Sequence, residues 1–150
     1  MAPELAGRLA EMGAGLMAKT LRGLAAGELI GRAQDHGGAS MAPMLKKEDG
    51  RIEWGRTATE ILNRMRGFAP WPGAYTEFRG QTCHLRGKPA AGEARGELGT
   101  ILVKKDLVRV VCGGGSLLEV THVKQEGRKE ISAREFVRGA RVVSGEKFGN

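Results

Sequence analysis

The chain has 150 residues, 41% of them hydrophobic, which is enough to bury one core with an appendage. Twenty-four lysines and arginines against 17 acidic residues give a net charge of +7, so a polyanion is the leading class of partner. No apolar run approaches the roughly 18 residues of a membrane span, and the N-terminus lacks the basic start and apolar core of a signal peptide, so no membrane association and a cytoplasmic location are expected. Cys83 and Cys112 form no C-x-x-C pair and the histidines do not cluster, so no metal site is expected and the thiols read as buried or idle.

The charge is unevenly placed. Residues 1–45 hold four basic and four acidic groups, so the whole positive excess lies in residues 46–150.

From Pro3 to about Ala26, Leu5, Leu9, Met12 and Leu16 recur at spacings of four, three and four, and Leu21 and Leu24 extend the pattern. This predicts a helix with one apolar face. Gly13, Gly15 and Gly23 each weaken it by about 1 kcal/mol relative to Ala. The face therefore needs a covering surface, and self-association through this helix is one way to supply it. Gly27 to Gly50 reads as a linker, broken by Gly37-Gly38, Ser40 and Pro43 and ending in the charged turn Lys46-Lys47-Glu48-Asp49-Gly50. His36 reads as a solvated loop residue.

Thr57 with Glu60 forms a capping box, predicting a helix from Ala58 with Ala58, Ile61, Leu62, Met65 and Phe68 as its buried stripe. Arg64 and Arg66 fall off that stripe and are expected free. The helix runs into Pro70-Trp71-Pro72-Gly73. Each proline fixes its own φ and drives the preceding residue out of helical space, and Gly73 can take a positive φ where the chain reverses. This is a stiff structural elbow, with Trp71 expected to anchor it in the core. Short strands are predicted at 74–78, 82–86, 99–103, 107–112 and 116–123, with a polar loop over 88–97. The Ser132–Glu135 capping box starts a last helix, with Arg134, Arg138 and Arg141 on one ridge if it runs that far. The fold class is α+β, mainly β: an OB-like five-stranded barrel with flanking helices, preceded by a lone helix and linker.

Several motifs are discounted. Gly113-Gly114-Gly115-Ser116 lacks the Lys of a phosphate loop and reads as a hairpin turn. His84 and His122 read as core or rim residues, and no nucleophile–base arrangement is found, so no catalytic or cofactor-binding residue is assigned. Trp54 and Trp71 could stack on bases, yet with aromatics at only 5% of residues a phosphate-dominated contact is the better expectation.

Arg51-Ile52-Glu53-Trp54, the helix, and Pro70-Trp71-Pro72-Gly73-Ala74-Tyr75-Thr76 resemble the start of the C-terminal domain of methionyl-tRNA formyltransferases, with Glu53 and Ala69 in place of the usual Asp and Asn. Gln34-Asp35 and residues 42–50 resemble that family's linker, with Met41 where Tyr is usual; Gly99-Thr100-Ile101-Leu102, Gly127-Arg128-Lys129 and Phe136-Val137-Arg138-Gly139 resemble its closing strands and last helix. The resemblance implies three segments: 1–33, the terminal helix of a Rossmann-like catalytic domain; 34–50, a linker; and 51–150, an OB-like tRNA-binding domain. It implies a role in translation initiation, with initiator methionyl-tRNA as partner and 10-formyltetrahydrofolate as the full-length family's formyl donor. The family's S-L-L-P loop and its catalytic Asn, His and Asp match nothing here, so the chain reads as a truncated portion that binds tRNA weakly without catalysis.

Two other readings stay open: the C-terminal domain of a sugar-nucleotide formyltransferase, and an inert remnant. The basic groups proposed to meet RNA are Lys46, Lys47, Arg64, Arg66, Lys104, Lys105, Arg128, Lys129, Arg134 and Arg138. Their predicted convergence on one side of the barrel is the physical basis of that reading.

Overall fold

The computed structural model describes residues 1–149 in two compact units, Met1–Leu45 and a second beginning at Lys46. In the first, helix α1 spans Ala2–Ala25. Pro3 occupies its first turn, where a missing N–H costs nothing, and Glu4 pairs with the terminal ammonium. Gly27, at φ 73°, lies just past its end. Its apolar side chains are exposed, Leu5, Leu9, Met12 and Leu16 by 55–69%. Only Gly23 is covered, by Leu29. Asp35 caps a single turn at His36–Gly38 by accepting the Gly37 N–H at 2.9 Å.

The second unit is an antiparallel sheet with two helices. Helix α2, Ala58–Gly67, begins at the Thr57–Glu60 capping box, and the Ala58 N–H donates to Ser116 Oγ at 2.9 Å. Ala58, Ile61 and Met65 are buried, whereas Leu62 and Phe68, expected on the same stripe, are only half-buried. The strands are β1 Tyr75–Phe78, β2 Gln81–Ala90, β3 Ile101–Lys104, β4 Leu107–Val111, β5 Leu117–Gln125 and β6 Ile131–Ser132, and helix α3 is Ala133–Ala140. The order is β1-β2-β5-β4-β3, with β6 also paired to β5.

The sheet therefore has six strands and not five. The two-residue β6 is too short to carry an alternating pattern. Strand β2 also runs to Ala90, so Lys88–Ala90 belongs to the sheet and the expected loop begins later. Gly87, Lys88 and Pro89 read as breakers in sequence, but the ladder to β5 continues through them after a register shift at Arg86/Gly87. A Cβ on Gly87 would lie 2.8 Å from the Glu119 carbonyl oxygen, so glycine is required by the close approach of two backbones. The glycine run forms the tight β4–β5 turn, with Gly114 and Gly115 at positive φ.

The C-terminal segment joins the two sheet edges. Glu146 accepts the Ile101 N–H, the Phe148 N–H donates to the Gly99 carbonyl at 2.9 Å, and the Gly149 N–H donates to the Glu77 carbonyl in β1 at 2.8 Å. Phe148, fully buried, packs among Trp54, Phe78 and Phe136 at centroid distances of 5.9, 5.5 and 6.4 Å. Trp54 is buried too, its Nε1–H donating to Thr76 Oγ1 at 3.3 Å, so it offers no face to a base.

Phe148→Ala should lower unfolding free energy by about 3–5 kcal/mol, the cost of an aromatic cavity. Val143→Ala, at a position 62% exposed, should change it by less than about 0.5 kcal/mol. Urea unfolding monitored by circular dichroism compares the two, and equal effects would show that Phe148 does not seal the core.

Candidate nucleic-acid interface

The β2–β5 ladder decides which groups share the sheet's outer face. Along β2, exposed His84, Arg86 and Lys88 alternate with buried Cys83 and Leu85. Register places His84 opposite Lys124, Arg86 opposite His122, and Lys88 opposite Glu119, with Arg109 of β4 on the far side of Glu119. Glu119 lies 3.2 Å from Lys88 and 3.9 Å from Arg109, and Arg86 meets Glu130 at 3.1 Å. These cations were absent from the candidates drawn from the sequence, although the period-two run His84, Arg86, Lys88 was there to be read.

At the β1 edge the elbow adjoins this face. Gly73, at φ 75°, donates its N–H to the Phe68 carbonyl at 2.9 Å and turns the chain into β1. Both Ala69–Pro70 and Trp71–Pro72 peptide bonds are cis. Pro72 is buried, whereas Trp71 is 58% exposed, contrary to its expected place in the core. The reason is local: Pro72 and the Gly73 carbonyl sit where a Gly50 side chain would be, with a Cβ there only 2.3 Å from that oxygen. Pro72 fills the space beneath the elbow, and the larger indole is held outward.

The same Gly50 contact brings the turn Lys47–Gly50 against the elbow. Lys46 opens this turn, its N–H donating to Asp49 Oδ2 at 2.7 Å. His84 Nδ1 lies 3.2 Å from where a Gly73 Cβ would stand, and its ring is 5.9 Å from that of Tyr75. Partial burial, then the positive fields of Lys124 and Lys47, hold the His84 imidazole below its usual value, with Glu126 opposing them more weakly.

The sequence-derived candidates divide. Lys46 and Lys47 lie beside the elbow. Lys104 and Lys105 flank the exposed β3–β4 turn, Lys105 at φ 57°, and Arg128 and Lys129 are exposed between β5 and β6. Arg134 and Arg138 share one carboxylate, Asp106, at 3.2 and 3.1 Å. Arg66 is exposed without a partner among the described residues.

Arg64 is not free as expected. It bonds Glu53 at 3.1 Å and the Asp49 carbonyl at 2.9 Å, and its guanidinium stands 5.0 Å from the Phe68 ring centre. Arg141 leaves the expected ridge because α3 stops at Ala140, and Arg141 takes a left-handed φ of 50° as its cap.

Among the described residues no group of three His, Cys, Asp or Glu is placed to hold a metal, and no helix is long and apolar enough to cross a membrane. Burial raises both thiols, that of Cys112 to about 11, so neither is an activated nucleophile.

An antiparallel sheet with two helices defines a small α+β domain. Residues 44–141 match the family of formyl transferase C-terminal domains, and the chain belongs to it. It is 46% identical over 149 residues to a methionyl-tRNA formyltransferase of Solibacter usitatus, matching 99% of this chain and 47% of that protein. A methionyl-tRNA formyltransferase of Geobacter sulfurreducens is 43% identical over 149 residues, again 99% of this chain and 46% of the relative. The chain thus spans about half the length of these relatives. Among solved structures, a variant of HypX from Aquifex aeolicus shares the fold with a TM-score of 0.57 at 17% identity, over 87% of this chain and 24% of that one.

With Trp54 buried and Trp71 exposed, acrylamide should quench most of the indole fluorescence that Trp71 contributes and little of the rest. Trp71→Phe should then leave a blue-shifted emission with weak quenching. A variant still readily quenched would place the accessible indole at Trp54 instead.

Proposed function

We propose that this chain is the tRNA-holding portion of a methionyl-tRNA formyltransferase, an enzyme of translation initiation in the bacterial cytoplasm. On this reading residues 1–33 close the catalytic domain, 34–50 link, and 51–150 form an OB-like barrel that grips tRNA. The observation that supports it is the row of His84, Arg86, Lys88 and Lys124 on the outer face of β2 and β5, with Lys47 near enough for its field to act on His84. Exposed Lys104 and Lys105 at the β3–β4 turn and Arg128 and Lys129 between β5 and β6 add positive charge, and Arg134 and Arg138 flank Asp106.

Such a surface positions a phosphate backbone without reading bases. The exposed stripe of α1 has the apolar character of a helix that packs on a larger sheet, here that of the formyltransferase half; pairing with a second copy is the other cover available to it. The family's formyl donor, 10-formyltetrahydrofolate, and its catalytic Asn, His and Asp belong to that half. The sugar-nucleotide reading has less support, because the similar relatives are tRNA enzymes.

The test is binding of the 150-residue chain to tRNA across a salt series. Contact with about four to six phosphates should give a log–log slope of roughly −3 to −5. A nucleotide sugar should not compete, and no formyl transfer should be detected with the chain alone. Saturable binding of the nucleotide sugar with none of tRNA would reverse the assignment.

A further inference from the structure

Many cations of the second unit meet a carboxylate. Arg56, Arg79, Arg86, Arg109 and Lys147 each meet a carboxylate, and Arg134 and Arg138 share one. Lys47 and Lys124 have no carboxylate partner among the described residues, and both lie close enough to His84 for their fields to act on it. Glu126 offsets these two fields only in part, so the like charges repel one another and an anion relieves that repulsion.

The place is also built. Lys124 is fixed by the β2–β5 register opposite His84. The turn that carries Lys47 is packed through Gly50 on Pro72, and His84 lies over Gly73 with its ring 5.9 Å from that of Tyr75. Trp71, two residues before Gly73, stands exposed at the rim.

We infer that Lys47, His84 and Lys124 form a subsite for one phosphate of an RNA backbone, with the middle member a proton-linked contact. This rests on the tRNA-holding reading for the identity of the polyanion. The subsite itself stands on the convergence of the three groups.

A neutral imidazole between two ammonium groups contributes little to phosphate binding. A bound dianion or phosphodiester reverses the local field and favours the imidazolium, which donates from a ring nitrogen to a phosphate oxygen. The proton comes from solvent. Occupancy therefore raises the proton affinity of His84, and the gain in binding is present at low pH and lost as pH rises through the bound-state value. The groups facing His84 are Lys47 from the turn, Tyr75 from β1, Lys124 from β5, Glu126 beyond it, and the backbone of Gly73.

The experiment has two arms on the full 150-residue chain. In the first, tRNA affinity is measured from about pH 7.5 to about pH 5.5 at fixed salt; wild type should tighten about three- to tenfold. His84→Gln should flatten that profile, and His84→Arg should bind tightly at every pH. His122→Gln and His36→Gln should keep the wild-type profile. Lys124→Gln should weaken binding and make the salt slope shallower by about one charge.

In the second arm, the His84 imidazole is titrated by NMR with and without inorganic phosphate, and phosphate should move its midpoint upward. A pH profile that survives in His84→Gln, or a midpoint that phosphate leaves in place, would overturn the subsite. Absence of any tRNA binding alongside a phosphate-shifted midpoint would instead overturn the tRNA reading and leave the anion site standing, with another polyanion to be sought.

Discussion

The register between β2 and β5 fixes both the inside and the outside of the second unit. Side chains alternate along a strand, so pairing Leu85 with Val123 and Cys83 with Gln125 sends Cys83, Leu85 and Val123 inward. The same pairing sends His84, Arg86 and Lys124 outward. A slip of one residue would exchange the two sets, burying these three charged or titratable groups and exposing the core. Burying an unpaired charge costs several kcal/mol, whereas an exposed ion pair contributes about 0–1 kcal/mol. The hydrophobic set therefore chooses the register, and the basic face is its consequence. Gly87 permits the shift that carries the pattern on to Lys88, because any side chain there would strike the Glu119 carbonyl.

Much of this was legible in the residues. Two capping boxes, Thr57–Glu60 and Ser132–Glu135, marked helix starts that the structure places at Ala58 and Ala133. Strands β1, β4 and β5 follow alternating runs bounded by glycine or charged turns. What escaped was tertiary. The continuation of β2 through Gly87 and Pro89 is decided by its partner strand and not by local preference. The sealing role of Phe148 is invisible locally, since a phenylalanine near a chain end followed by Gly149 carries no periodicity. Its burial depends on Gly99, where a side chain would lie 2.4 Å from the Phe148 carbonyl oxygen.

The site was legible in a different proportion. Counting charge located the excess in residues 46–150, and the lysines at the turn before the elbow were identified. Pairing could not be counted. Arg64 looked free because it falls off the apolar stripe of α2, yet that position faces Glu53 and the Asp49 carbonyl across a turn. Trp71 was assigned to the core from its size and its rigid neighbours. The structure gives that place to Pro72, because Gly50 leaves a recess that suits a proline ring and not an indole.

The distribution of ion pairs gives the basic face an internal structure. Glu119 lies between Lys88 and Arg109, and Asp106 between Arg134 and Arg138, so each carboxylate reduces the repulsion of two cations it separates. These pairs are too exposed to stabilise the fold by much. Their effect is to hold long side chains at set positions on the sheet and on α3, spacing positive groups that would otherwise spread. About His84 the fields of Lys124 and Lys47 outweigh that of Glu126, so the local field favours an anion. Lys104, Lys105, Arg128 and Lys129 are likewise without a carboxylate partner among the described residues, so paired and unpaired cations alternate over the surface. On the proposed RNA-holding role, such alternation would favour one register of the backbone, because a phosphate set between Lys47 and Lys124 would have a place that its neighbours do not share.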